Sequence, residues 1–150
     1  MFSHQLNTKW EKISQCELYN YLNLPRANPR NHKGEAKIHL EIVQNLVGLS
    51  ILGRLKAIWF HPANEIIPSE TGVGFGILLK MMGKIPGVSD LIFGWGGGMR
   101  CLEVKGPKGS LSPSQKLFKK WCEEFEIPYK IVRSWKEAEE TLKEWGILRD

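Results

Sequence analysis

Three consecutive glycines, Gly96-Gly97-Gly98, separate two strand-like runs, Asp90-Leu91-Ile92-Phe93-Gly94-Trp95 and Arg100-Cys101-Leu102-Glu103-Val104-Lys105. Two such runs joined by a glycine turn read as a β-hairpin, and an isolated hairpin is not stable until its apolar face is covered. The second run says which face that is. Side chains alternate along a strand, so Leu102 and Val104 point into a core while Glu103 and Lys105 share the opposite face. An acid and a base are thereby set at one spot. Asp90 opens the neighbouring strand and reaches them if the register puts it opposite Glu103 or Lys105 rather than Val104, which the sequence leaves open.

The covering elements are legible on either side. From Glu35 onward, Ile38, Ile42, Leu46 and Leu49 recur at three- and four-residue steps, with Val43 and Val47 alongside, the pattern of a buried helix face. On a wheel of about 100° per residue, Glu35 and His39 fall within that apolar stripe and Glu41 opposite it. Glu35 is therefore expected to face inward. Ala57-Ile58-Trp59-Phe60 reads as a short strand, followed by the turn-rich His61-Pro62-Ala63-Asn64-Glu65. Gly72 to Gly87 suggests a short helix or a flexible loop. After the hairpin, Ser112 is an N-cap with Pro113 at the first helical position, and Leu117, Phe118, Trp121, Cys122 and Phe125 supply an apolar face. Tyr129 to Arg133 is strand-like, and Trp135 to Trp145 is helical. A strand that follows a helix implies a parallel crossover onto the hairpin, so the expected fold is α/β, a mixed sheet flanked by helices.

The first 34 residues read differently. Trp10 to Leu24 has a weak helical pattern that stops at Pro25, and 25–34 (PRANPRNHKG) is a basic linker rich in Pro and Asn. The division expected is an arm and linker over 1–34 and one domain over 35–150. With 150 residues the chain can bury a core without staples. Lys and Arg total 21 against 16 Asp and Glu, a formal net charge of +5 that favours polyanionic partners. Cys16, Cys101 and Cys122 have neither zinc-site spacing nor the density of a disulfide scaffold, which fits a reducing compartment. No signal pattern or membrane-length apolar run is present, so the expected location is the cytoplasm, or a host-cell interior if the chain is phage-encoded.

Two carboxylates at adjacent strand ends, Asp90 and Glu103, form the hard oxygen site that Mg²⁺ prefers, and such an ion binds substrate phosphate at the same time. Lys105 adds a compact positive charge that can orient a water or stabilise charge developing on a phosphoryl group. Glu35 has a second reading as a first-turn acid favoured by the helix dipole. Lys80, Lys84, Arg100, Lys108, Lys116 and Lys119 flank the site in sequence and could contact phosphates, although Lys116 and Lys119 also fit the wet face of a helix. Among the tryptophans, Trp95 beside the glycines is the candidate for stacking on an unpaired base and Trp121 is read as core. His61, Asn64 and Glu65 stay outside the catalytic set.

Taken together, the segments E-A-K-I-H-L-E-I-V from Glu35, F-H-P-A-N-E from Phe60, G-K-I-P-G-V-S-D-L-I-F from Gly83, L-E-V-K-G-P-K-G from Leu102 and L-S-P-S-Q from Leu111 resemble the VRR-NUC branch of the PD-(D/E)XK nucleases in order and spacing. The resemblance covers roughly Glu35 to Ser134. It implies a restriction-endonuclease-like fold and phosphodiester hydrolysis dependent on Mg²⁺, for which Mn²⁺ substitutes. Asp90, Glu103 and the backbone carbonyl of Val104 would be metal ligands, Glu35 the helix acid near the metal, Lys105 the catalytic lysine, and Gln115 the supporting glutamine of the next helix. Two positions depart from the family pattern: Ser89 stands where proline is usual, and His39 where glutamine is common. The stand-alone phage and bacterial members imply a homodimer acting on branched or flapped DNA. The rival expectation is a basic nucleic-acid-binding protein without catalysis, its acids merely paired with lysines.

Overall fold

A computed structural model describes residues 13–62 and 73–150. Trp10, Asn64 and Glu65, named above, lie outside the described residues. The elements run α1 (Gln15–Tyr21), a 3₁₀ turn (Pro29–Asn31), α2 (Gly34–Ile51), β1 (Ile58–Phe60), α3 (Val73–Met81), β2 (Leu91–Trp95), β3 (Gly98–Val104), α4 (Pro113–Glu124), β4 (Tyr129–Val132) and α5 (Trp135–Glu144). Among the described residues the strands form one sheet in the order β1-β2-β3-β4. β1 and β3 are antiparallel to β2, whereas β4 returns through α4 to lie parallel to β3. The mixed, helix-flanked sheet is the architecture expected from the sequence.

Alternation along β3 divides the interior in two. Leu102 and Val104 join Leu91, Phe93 and Val132 under α2 and α5, where Ile42, Leu46, Ala138 and Leu142 are fully buried. On the opposite face Cys101 meets Phe118 and Cys122 of α4. Only this narrow stripe of α4 is covered. Leu117, Trp121 and Phe125 remain exposed, and Trp121 at 50% is not the core residue its helical spacing suggested. The physical reason is that residues at i and i+4, Phe118 and Cys122, suffice to reach Cys101, which turns their neighbours outward. The arm is tied to α2 by a 2.6 Å hydrogen bond from Gln44 Nε2 to the Ala27 carbonyl. No helix among the described residues is long and apolar enough to cross a membrane.

One backbone approach positions the helix that serves the site. Gly87 has φ +80°, and a Cβ built there would stand 2.3 Å from the Ser114 carbonyl carbon and 2.6 Å from the Gln115 amide nitrogen. Only glycine tolerates both the left-handed conformation and the contact. Gly87→Ala is expected to destabilise the fold by on the order of 2 kcal/mol, read as a lower urea midpoint, because the clash is with helix backbone rather than a yielding side chain. An unchanged midpoint would mean that α4 does not press on this turn.

Candidate metal centre

The chemistry expected of this chain gathers at one end of the sheet, where β1 and β3 end and β2 begins. The register leaves no ambiguity: Leu91 pairs with Leu102 and Ile92 with Cys101, so one step further Asp90 faces Glu103. Asp90 is held there by the strand it faces, since the Val104 amide donates to its Oδ2 at 2.8 Å. Val104 thus contributes its N–H to the arrangement.

Glu103 is fully buried, and its two oxygens are treated differently. Oε1 accepts from Gln115 Nε2 at 2.6 Å and lies 3.5 Å from Lys105 Nζ. Gln115 is itself clamped: Ser112 Oγ accepts from its backbone amide, while its Oε1 accepts from the Ser112 amide at 2.9 Å. The capping box of α4 therefore aims the other end of the same side chain at Glu103. Oε2, by contrast, is buried with no hydrogen-bond partner among the described residues. Burial, and next the negative charge of Asp90, push the Glu103 carboxyl up from 4.5 to about 7, with Lys105 pulling the other way. The Tyr129 hydroxyl lies beside the same carboxyl and is pushed up by burial, then by the Glu103 charge and by its side-chain contact with Glu103, although neither this hydroxyl nor Glu103 Oε2 has a partner in hydrogen-bond geometry among the described residues.

An orphaned buried carboxylate oxygen beside a second carboxylate is costly unless a cation completes it. The residues present therefore fit a divalent ion held by Asp90 and Glu103. Lys105 is nearly buried and stands between two acids, with Glu35 Oε2 at 3.9 Å on its other side. Glu35 does turn toward the site, but its side chain stays about half exposed (48%), so it faces the mouth of the site rather than the core. A cavity of about 240 Å³ opens beside Asp90, lined by His61, Ser89, Ser112, Ser114 and Gln115 among others. A larger one of about 340 Å³, between residues 19–27 and α2, is walled by apolar side chains such as Leu24, Val43 and Ile51 and holds none of this chemistry.

The flanking cations sort unevenly. Lys80, Lys108 and Lys116 are exposed, and Lys84 is half-buried. Lys116 follows Gln115 in the first turn of α4, and Lys108 lies in the loop leaving Lys105. Lys119 pairs with Glu123. Arg100 is committed elsewhere, its guanidinium 4.9 Å from the Trp95 ring centre and donating to the Met99 carbonyl. Trp95 is therefore half-buried under Arg100 and packed on the core, not the open stacking platform the glycines suggested. Ser89, the departure before Asp90, is fully buried with its hydroxyl donating to the Leu91 carbonyl at 3.3 Å, so the substituted position stays satisfied.

Sequence reasoning left out two histidines that belong here. Ligand atoms of His39, His61 and Asp90 all lie within 4.8 Å of one another, a half-buried cluster able to hold a metal ion. Their rings meet edge-on, with centroids 4.8 Å apart and planes at 88°. One signal was available: His39 lies one turn after Glu35 on the same stripe, and His61 directly follows the strand that pairs with the start of β2. Comparison with family models, with curated proteins and with solved structures finds no match for this chain. The geometry of the site carries the functional argument alone.

Proposed function

We propose that this chain is a metal-dependent nuclease of the VRR-NUC kind, hydrolysing phosphodiester bonds in DNA. The observation that carries the reading is the Asp90–Glu103 pair, with Lys105 against it and one buried carboxylate oxygen that lacks a partner. A divalent ion such as Mg²⁺ or Mn²⁺, when bound by these carboxylates, lowers the pKa of a water and neutralises charge developing on the phosphoryl oxygens.

The protein's own residues do the rest. Gln115 fixes the orientation of Glu103, so that Oε1 is spent on the protein and Oε2 is the oxygen that would hold a cation. Glu35 and Glu103 hold the Lys105 ammonium between them, in place to bind the attacking water or the phosphoryl oxygen. In this reading the phosphate lies at the cavity of about 240 Å³ beside Asp90, and the exposed Lys108 and Lys116 supply phosphate contacts that bring salt-sensitive, sequence-independent affinity. Branched or flapped DNA, met by a homodimer whose two-fold axis relates two such sites, is the substrate we favour.

The test is a panel of duplex, single-stranded, flapped and four-way-junction DNAs incubated with the purified chain and Mg²⁺ or Mn²⁺. Cleavage of the branched or flapped members, abolished by chelator, is expected. If none of the panel is cut while DNA is still bound, the acids serve only to pair with lysines and the chain is a basic DNA-binding protein.

A further inference from the structure

Asp90 belongs to two constellations of different chemistry. Toward β3 it faces a carboxylate; toward α2 and the end of β1 it faces two imidazoles. We propose that His39, His61 and Asp90 form a cation site of their own, selective for a borderline transition metal such as Zn²⁺, Fe²⁺ or Co²⁺ over Mg²⁺. This goes beyond the carboxylate site and does not rest on the phosphodiester reading.

A hydrogen bond behind His61 fixes its tautomer. Its Nδ1 lies 2.6 Å from the Asp90 main-chain oxygen. A carbonyl oxygen only accepts, so Nδ1 carries a proton, and in the neutral tautomer that this contact selects the lone pair lies on Nε2. Metal-bound histidines are held in this way, the far nitrogen donating to a carbonyl or carboxylate that fixes tautomer and ring angle. The acceptor here is the main chain of the third member of the cluster, so one residue sets both the carboxylate and the imidazole.

Donor atoms around a tetrahedral ion with bonds of about 2.1 Å stand roughly 3.4 Å apart. Three ligand atoms already within 4.8 Å of one another need to draw together by at most about 1.4 Å per pair to reach that spacing. The edge-on rings keep the two imidazoles from stacking flat against each other.

Imidazole nitrogen suits zinc, iron, cobalt, nickel and copper, whereas Mg²⁺ keeps oxygen ligands and waters. Two imidazoles and one carboxylate leave coordination positions for water or a phosphate oxygen. The neighbouring Asp90–Glu103 pair has only oxygen to offer. Two sites sharing Asp90 therefore sort hard from borderline ions by donor atom alone.

The experiment uses the full chain without DNA, so it succeeds or fails independently of cleavage. Histidine is isotope-labelled and its ring nitrogens followed by NMR during titration with Zn²⁺ and, separately, Mg²⁺. Zn²⁺ is expected to shift one nitrogen of His39 and the Nε2 of His61, to leave His61 Nδ1 protonated, and to leave exposed His32 in place. Millimolar Mg²⁺, bound through the Asp90 and Glu103 carboxylates, is expected to cause at most a small change at His61 and none of the large nitrogen shifts of direct coordination. In a parallel calorimetric titration His39→Gln weakens Zn²⁺ binding by roughly tenfold or more, with a thermal melt confirming the fold. Ring nitrogens of His39 and His61 that ignore saturating Zn²⁺, or that respond equally to Mg²⁺, overturn the assignment. The labelled wild-type chain decides the matter even if the variant fails to fold.

Discussion

Asp90→Asn is expected to lower metal-dependent DNA cleavage by on the order of a thousandfold while leaving DNA affinity within a few-fold of the wild-type chain. Asparagine is the informative substitution because its carbonyl oxygen still accepts from the Val104 amide, so the strand end keeps its geometry. What is lost is the charge that Asp90 offers to a cation. Lys105→Ala removes a different contribution, the ammonium held between Glu35 and Glu103, and is expected to cost about a hundredfold or more in rate. Single-turnover cleavage of a flapped substrate, beside binding measured in chelator, separates the two effects. Equal loss of binding and cleavage in Asp90→Asn would show a damaged fold and not a missing ligand. Full activity in either variant would remove the nuclease reading of this site.

The second large effect concerns stability and pH. Burial raises the Glu103 carboxyl from 4.5 to about 7 in the folded chain. Between those values the unfolded chain gives up a proton that the folded one retains, so the folded state binds more protons. Stability from this group is therefore fully present below about pH 4.5, falls as pH rises toward 7, and levels off above it. The amount is on the order of 3 kcal/mol for the metal-free protein. A divalent ion at the Asp90–Glu103 pair offsets the buried charge, so added metal is expected to raise the melting temperature far more at pH 8 than at pH 5. Subtracting the melts of Glu103→Gln isolates this group from the other carboxylates. A wild-type chain whose pH profile matches that variant's would mean that Glu103 ionises without penalty.

Most of the framework was readable from residue order because each strong element declares its own period. The Leu102–Val104 alternation set the inner face of β3, Ser112-Pro113 set the start of α4, and the strand after α4 required a parallel return. The register of the hairpin was not readable. A one-residue slip exchanges the two faces of a strand, and the turn alone does not declare which pairing wins. Here Trp95 closes on Gly98, which leaves Gly96 and Gly97 as the turn and delivers Asp90 to Glu103. The imidazole cluster escaped for another reason. His39 and His61 are 22 positions apart on elements that meet only in the folded chain, and neither stands in a spacing that marks a metal site. Trp121 shows the opposite failure: its spacing was right for a core, but the sheet beneath α4 was already covered by Phe118 and Cys122.

The pair beneath that helix has a practical bearing. Cys101 and Cys122 face each other with Sγ atoms 4.0 Å apart, and burial pushes both thiols up, Cys122 to about 12. Thiols that stay protonated and hidden react slowly with electrophiles. Cys16, exposed on α1, is the only other cysteine in the chain. The natural sequence thus already carries a single addressable labelling position. A fluorophore placed there by a maleimide would report whether the arm shifts against α2 on addition of DNA or of a divalent ion, with no engineered cysteine.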